Sequence, residues 1–220
     1  MVNGAEMPKS SLRARKAQRT RAELIDAAVT LCLSVGYDNA TVEMIAATAE
    51  VSPRTFSRYF ATKDAVFLAV LDVVADAVVA EVSRQSARLG PIEALRAAHV
   101  AVFTRIAEVP YGRPSADQLA VMLRVINSSD ALRKKAIDYR NERAVTILAD
   151  RAGVAEDDRQ LQLAMTLFNV TAVTAFANLV ADTEDALLGP RLMVERMQEA
   201  FGQLAEMAAD LDPASFPAAT

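Results

Sequence analysis

Apolar residues recur at helical spacing along most of the chain. The two clearest sets are Leu24, Ile25, Ala28, Leu31 and Val35, and then Val66, Phe67, Val70, Leu71, Val74 and Val78. No segment alternates apolar and polar residues between hairpin turns, as half-buried strands do. The pattern therefore predicts an all-α protein of about nine helices.

Glycine and proline are sparse, and they mark where the predicted helices stop. The predicted helices span about residues 15–35, 42–48, 53–59, 63–88, 91–108, 115–127, 130–152, 156–182 and 190–210. The second and third predicted helices have only seven residues each. With the first helix they form a small predicted N-terminal domain, residues 1–62, and the remaining six helices form a larger domain, residues 63–220.

Composition excludes several classes of site. The single cysteine, Cys32, excludes a disulfide framework. Together with the single histidine, His99, it excludes zinc sites built from Cys and His, and we predict no metal and no cofactor. The longest apolar run, residues 65–71, is too short to span a bilayer, and no apolar stretch follows the basic N-terminal residues. We therefore expect a cytoplasmic protein without a membrane partner.

Net charge is unevenly distributed. The whole chain has 24 basic and 28 acidic residues, a net charge of −4. Residues 1–63 hold nine basic and six acidic residues (+3), whereas residues 64–220 hold fifteen and twenty-two (−7). Six of the basic residues fall within thirteen positions that contain no acid: Lys9, Arg13, Arg15, Lys16, Arg19 and Arg21. This run predicts a basic arm that binds phosphate, although a solvated tail has the same pattern.

The second and third predicted helices have strong start signals. Thr41 and Ser52 stand where a hydroxyl can accept a backbone N–H, and Pro53 occupies a first helical position. Phe56 faces inward with Phe60, whereas a polar face is formed by Arg54, Thr55, Ser57 and Arg58. A short helix held by a preceding helix and turn fits the major groove of B-DNA. We expect Leu24, Ile45, Phe56 and Phe60 in the core, and Cys32 as a buried, inert thiol.

Three segments carry a family resemblance: Ala22–Tyr37 with its terminal Gly-Tyr, Thr41-Val-Glu-Met-Ile-Ala-Ala-Thr-Ala-Glu-Val-Ser-Pro-Arg-Thr-Phe56, and Tyr59-Phe-Ala-Thr-Lys63. Over about fifty residues they resemble the DNA-binding domain of the TetR family of transcriptional regulators. The resemblance implies a homodimer, a palindromic operator in double-stranded DNA, and repression relieved by a small molecule bound in the C-terminal domain. The Pro53–Phe56 segment is also similar to mycofactocin-type regulators of an actinobacterial subgroup.

The resemblance implies roles for individual residues. Thr41 and Lys63 match phosphate-contacting positions, Thr55 a polar recognition-helix position, and Tyr59 a position that contacts the DNA backbone. Arg54 stands where the family often has Gly, and it is expected to bind guanine. Ser57 replaces a frequent Tyr, so the aromatic phosphate contact is not expected here. The predicted DNA-binding set is Arg19, Arg21, Thr41, Ser52, Arg54, Thr55, Ser57, Arg58, Tyr59 and Lys63.

The last two predicted helices have the character of a subunit interface. Fourteen of the twenty residues from Leu161 to Val180 are apolar, so this helix needs cover on two sides. One side can pack within its own domain and the other on a partner, as in a four-helix dimer interface. The predicted interface residues are Leu167, Val170, Thr171, Thr174, Met193, Met197, Phe201 and Leu204. A buried helix in a monomer is the alternative.

Polar residues among the apolar ones of the C-terminal domain are candidates for an effector pocket. They are His99, Phe103, Arg124, Tyr139, Asn169 and Thr174. The scarcity of clustered charges favours a largely apolar effector, although His99 is also typical of an ordinary core or surface histidine. The sequence contains no Gly-rich phosphate loop, no H-E-x-x-H helix and no G-x-S-x-G motif. We therefore predict a ligand-responsive repressor rather than an enzyme, with carboxylate-based catalysis or a helical protein–protein module as the alternatives.

Overall fold

The computed structural model describes residues 9–109, 115–177, 179 and 189–210. Within those ranges it contains helices and turns but no strand, so the all-α prediction is confirmed. The helices are α1 (Lys9–Val35), α2 (Val42–Thr48), α3 (Pro53–Tyr59), α4 (Lys63–Val82), α5 (Pro91–Glu108), α6 (Ala116–Asn127), α7 (Asp130–Asp138), α8 (Glu142–Ala152), α9 (Arg159–Ala175) and α10 (Pro190–Ala209).

The described ranges contain ten helices where about nine were predicted, because the predicted helix 130–152 is broken. Tyr139 is extended (φ −60°, ψ 132°), and the Asn141 side chain then accepts the N–H of Ala144 at 3.1 Å. A side chain that binds a first-turn N–H starts a new helix, which separates α8 from α7.

Two other boundaries also differ from the prediction. α4 ends at Val82, before the predicted residue 88, because Arg151 donates hydrogen bonds to the carbonyls of Val82 (3.2 Å), Gln85 (3.1 Å) and Ser86 (2.6 Å). This long-range capping satisfies carbonyls that a longer helix would have paired. α9 begins at Arg159 because the Asp158 carboxylate caps it. The end of the predicted helix, residues 180–182, lies outside the described residues.

Contacts divide the chain into two compact units, Met1–Val70 and Leu71–Thr220. In the first unit α1 packs on α2 and α2 on α3. Leu24, Ile45, Phe56 and Phe60 are buried, and the two phenyl rings lie 5.8 Å apart, which confirms the predicted core. Cys32 is also buried, as predicted. α4 contributes residues 63–70 to the first unit and residues 71–82 to the second.

The turn between α2 and α3 has a left-handed residue that is not glycine. Glu50 has φ 54°, and its N–H donates to the carbonyl of Ala47 at 3.0 Å. The N–H of Val51 donates to the carbonyl of Ala46 at 2.9 Å. These two bonds form the Schellman arrangement that ends a helix, and they turn the chain directly into α3.

The second unit is centred on α5, α9 and α10, which pack on one another, with α7 against both α6 and α9. Aromatic rings run through this centre. The His99 ring on α5 lies 4.8 Å from that of Phe168 on α9, which lies 5.3 Å from that of Phe201 on α10. Phe103 lies 5.8 Å from His99, so rings from three helices form one cluster.

Candidate functional site

α3 is held at its start by the hydrogen bonds that the sequence predicted. The Ser52 hydroxyl accepts the N–H of Thr55 at 3.1 Å, and the two hydroxyls lie 3.0 Å apart. Thr41 caps α2 in the same way, accepting the N–H of Met44 at 3.2 Å. Pro53 occupies the first turn of α3, where its missing N–H costs nothing. Both predicted caps are therefore confirmed.

The outer face of α3 is polar. Arg54, Ser57 and Arg58 are exposed at the i, i+3 and i+4 spacing of one helix face, and Thr55 and Tyr59 are half-buried beside them. The Ser57 hydroxyl donates back to the carbonyl of Pro53 at 3.1 Å. The Arg58 guanidinium stacks 5.1 Å from the Tyr59 ring centroid. Arg54 makes no hydrogen bond or ion pair with any residue that the structure describes, so its guanidinium is available to a ligand.

The basic run at the N-terminus lies within α1, which begins at Lys9 rather than at the predicted residue 15. The added segment contains Lys9, Leu12, Arg13 and Ala14, and all four residue types favour helix, which accounts for the extension. Arg13, Lys16 and Arg19 are exposed, and Arg19 pairs with Glu23 at 2.7 Å. The Arg21 guanidinium lies 5.2 Å from the Phe60 ring centroid. The first unit thus presents a basic helix as well as the polar face of α3.

Lys63 makes structural contacts that the sequence did not reveal. Its ammonium donates to the carbonyl of Tyr37 at 2.9 Å and lies 4.3 Å from the centroid of the Tyr37 ring. The Tyr37 hydroxyl donates to the Asp64 carboxylate. Burial, and then this carboxylate, raise the pKa of Tyr37 well above its ordinary value. Lys63 therefore ties the end of α1 to the start of α4, and its phosphate contact stays a prediction.

The second unit contains a cavity of about 150 Å³. Its walls come from α4, α5, α6 and α9, with residues of α7, α8 and the turn between them. None of the twenty-two residues around it is charged, and most are aliphatic or aromatic. Such a cavity fits a small, apolar and uncharged ligand.

Four of the predicted pocket residues line this cavity: His99, Phe103, Tyr139 and Asn169. The other two predicted pocket residues, Arg124 and Thr174, do not line it. On α6 the lining residues Met122, Leu123, Ile126 and Asn127 share one face, and Arg124 lies on another. Thr174 is exposed, on the side of α9 opposite Ala172 and Phe176.

Asn127 is a cavity residue that the sequence reasoning missed. Its amide nitrogen donates to the carbonyls of Leu123 (2.9 Å) and Phe176 (3.0 Å), so it joins the ends of α6 and α9. Its Oδ1 is buried and accepts no hydrogen bond from any described residue. An asparagine that ends a helix resembles an ordinary helix stop, so the single sequence carried no signal for this role.

His99 is held as a neutral imidazole. Its Nδ1 lies 2.8 Å from the carbonyl oxygen of Leu95, which can only accept, so Nδ1 carries the proton. Burial lowers the pKa of His99 to about 4, which leaves Nε2 unprotonated at neutral pH. Across the cavity, the Tyr139 hydroxyl donates to Asp72 at 2.7 Å, and burial raises the pKa of this tyrosine.

α9 and α10 present apolar residues to solvent. Leu163 and Met207 are about 60% exposed, and Leu167 and Val170 are exposed as well. The interface prediction was wrong for Met193 and Met197, which have no exposed surface and pack in the core of the unit, and Phe201 is buried with them. Leu167, Val170, Thr171, Thr174 and Leu204 keep accessible surface, and their role in an interface stays a prediction.

The described residues show neither a metal-binding cluster nor a membrane segment. Among them, no group of three or more His, Cys, Asp or Glu side chains is arranged to hold a metal ion. None of the helices in the described part of the chain combines the length and hydropathy that a bilayer-spanning segment needs.

Sequence comparisons point to a bacterial regulator. Residues 24–70 match the family model described as bacterial regulatory proteins, tetR family. The chain is 35% identical over 150 residues to the HTH-type transcriptional regulator TcmR of Streptomyces glaucescens. That match covers 67% of this chain and 66% of TcmR, so it spans about two thirds of the relative's length.

Solved structures show weaker similarity. The complex of SmeT, a Stenotrophomonas maltophilia repressor, with triclosan is 22% identical, with a TM-score of 0.48 over 92% of this chain and 96% of SmeT. Thermus thermophilus FadR with lauroyl-CoA is also 22% identical, with a TM-score of 0.46 over 90% of this chain and all of FadR.

The neutral state of His99 predicts a dependence of stability on pH. Its ordinary pKa of 6.5 exceeds its folded pKa of about 4, so the unfolded chain binds the extra proton as the pH falls. The free energy of unfolding should therefore fall between pH 6.5 and pH 4, by up to about 1.4 kcal/mol per pH unit. Urea denaturation measures this change. His99→Phe keeps an aromatic ring in place and should show a shallower fall, whereas equal slopes for the two proteins would contradict the assignment.

Proposed function

Because the chain belongs to the TetR family of transcriptional regulators, we propose that it is a ligand-responsive repressor in the cytoplasm. It binds an inverted repeat as a homodimer and is released by a small, largely apolar effector. Residues 1–62 read DNA, and residues 63–220 bind the effector and dimerise. The capped helix α3, with its exposed face of Arg54, Ser57 and Arg58, is the observation that carries this proposal.

α3 enters the major groove with its N-terminal residues towards the bases. Arg54 has a free guanidinium, and two of its N–H groups match the O6 and N7 acceptors of guanine. Thr41, Ser52, Thr55 and Tyr59 lie at the groove edges, and the basic face of α1 lies along the phosphates. Arg19, Arg21 and Lys63 also face phosphate in this arrangement, although the first two have protein partners.

Dimerisation buries the exposed apolar residues of α9 and α10. A surface with two leucines, a valine and a methionine exposed to water is costly for a monomer, and a second copy is the simplest cover. An interface that uses the same surface twice has twofold symmetry, so the two α3 helices read half-sites of opposite orientation. The DNA target is therefore an inverted repeat.

The uncharged cavity in the second unit is the effector site. Its wall includes Leu71, Val74 and Val78 from α4, and the same helix begins at Lys63, which contacts Tyr37 in the first unit. A ligand that displaces α4 would therefore act on both units through one helix. Release from DNA requires that the effector bind the DNA-free conformation more tightly than the DNA-bound one.

Footprinting on the DNA that flanks the protein's own gene tests this function. We expect protection of an inverted repeat, with half-site centres one helical turn or a multiple of it apart. About six to eight phosphate contacts should give the logarithm of the binding constant a slope of about −5 to −7 against the logarithm of salt concentration. Protection without sequence symmetry, or binding that ignores salt, would rule the proposal out.

Two single substitutions separate base reading from phosphate binding. Arg54→Ala should reduce the free energy of operator binding by about 1–3 kcal/mol and relax the base preference at one base pair of each half-site. Lys16→Ala, at an exposed position of α1, should weaken binding to all DNA sequences to a similar extent. It should also reduce the slope of the logarithm of the binding constant against the logarithm of salt concentration by about one. Both are measured by titrating labelled operator and mutated duplexes. An Arg54→Ala protein with unchanged sequence preference would remove Arg54 from the reading face.

A further inference from the structure

The size of the cavity limits what can fill it without rearrangement. About 150 Å³ is the volume of an engineered apolar cavity that accepts benzene, so one six-membered ring fits. The rings of Phe103, Phe168 and Phe176 and the imidazole of His99 form part of the wall. Aromatic walls favour a planar aromatic ligand, which can pack against them edge to face or in offset stacks.

Most hydrogen-bond donors of the described residues around the cavity are in use. The Asn169 amide nitrogen donates to the carbonyls of Ile137 (3.2 Å) and Tyr139 (2.7 Å). The Asn127 amide nitrogen donates to two carbonyls, the Tyr139 hydroxyl to Asp72, and the Asn141 amide nitrogen to the Tyr139 hydroxyl at 3.5 Å. The proton on His99 Nδ1 is bound to the carbonyl of Leu95. Among these residues, a ligand that needs a donor finds only the second N–H of the Asn141 amide without a hydrogen bond.

Acceptors, in contrast, are left over. His99 Nε2, Asn127 Oδ1 and Asn169 Oδ1 each belong to a cavity-lining residue, and none accepts a hydrogen bond from the residues described. Each of the three side chains is held in orientation by the hydrogen bonds of its own nitrogen donor. The orphaned Asn127 Oδ1 is buried, a state that costs free energy until a donor arrives. The described residues of the cavity thus offer more free acceptors than free donors.

Charge narrows the ligand class further. None of the described residues that line the cavity is charged, so an ion would lose its hydration without gaining a partner among them. The Asp72 carboxylate behind Tyr139 adds negative potential on one side, which disfavours an anion in particular. A neutral ligand is the class that remains.

We propose that the cavity binds a neutral, single-ring aromatic molecule that donates a hydrogen bond, of which a phenol is the simplest example, with His99 Nε2 as its principal acceptor. This inference rests on the proposed function only in taking the cavity as the effector site. The ring fills the apolar volume between α4, α5 and α9, and the hydroxyl proton bonds to the imidazole nitrogen. Asn127 Oδ1 and Asn169 Oδ1 serve a second donor on the ring.

Titration calorimetry of the full chain with four probes tests the ligand class. Phenol carries the donor, anisole replaces it with an acceptor, toluene removes both, and benzoate is charged. We expect phenol to bind about tenfold more tightly than anisole or toluene, and benzoate not to bind measurably. Equal affinities for phenol and toluene would show that binding does not depend on a hydrogen-bond donor, and this would overturn the inference. Preference for anisole or benzoate, or no binding by any probe, would also overturn the inference.

A variant identifies the acceptor. His99→Phe keeps the ring contacts with Phe103 and Phe168 but removes Nε2. The affinity for phenol should therefore fall about tenfold, while the affinity for toluene should change by about twofold or less. Retained toluene binding shows that the cavity has formed. Thr104→Val, at an exposed position of the same helix, serves as the matched control and should leave both affinities unchanged. An unchanged phenol affinity in folded His99→Phe would exclude His99 as the acceptor.

These outcomes are independent of DNA. Phenol binding with no protected operator would support the ligand class and refute the proposed repressor. A protected operator with no binding by any probe would support the proposed repressor and refute the ligand class. The probe series in the unaltered chain decides the ligand class even if His99→Phe does not fold.

Discussion

A helix of seven residues is not stable alone in water, and the surface that we propose for DNA binding is built on such a helix. α3 therefore depends on the contacts at its two ends. At its start, the Ser52 hydroxyl and the turn through left-handed Glu50 fix where the helix begins. At its end, Phe56 and Phe60 anchor it in the core of the first unit. Because the inner side of α3 is buried, Arg54, Ser57 and Arg58 lie on its exposed side. The caps and the buried phenyl rings thus order the helix and leave its polar face accessible.

In the second unit, a few polar side chains lie around an otherwise apolar cavity. Several polar side chains around the cavity donate to a protein carbonyl or carboxylate, as in the bonds from Asn127 to Leu123 and from Tyr139 to Asp72. A buried acceptor without a partner, such as Asn127 Oδ1, costs stability, and in the proposed complex a ligand's donor would satisfy acceptors of this kind. Burial also keeps His99 neutral, with a pKa of about 4. The proposed ligand selectivity thus rests on side chains that also affect stability.

Local chemistry explains what could be predicted from the sequence. The caps at Thr41 and Ser52, and the inward phenyl rings of α3, depend on residues within a few positions of one another, so their pattern was readable. Contacts between distant residues were not. Arg151 ends α4 from a position 69 residues away, Lys63 reaches back to Tyr37, and Asn127 reaches forward to Phe176. The phase of α6 and α9 was also out of reach, which is why Arg124 and Thr174 were placed in the pocket. Met193 and Met197 were assigned to an interface because apolar side chains of a core and of an interface look alike in sequence.

In the proposed function, one unit binds DNA under the control of a ligand in the other. The direct measurement is the dissociation constant of a fluorescently labelled inverted-repeat duplex at fixed salt, with and without a ligand that calorimetry shows to fill the cavity. We expect the filled cavity to weaken DNA binding at least about fivefold, the lower end of ordinary allosteric coupling. An unchanged dissociation constant with the cavity fully occupied would contradict it.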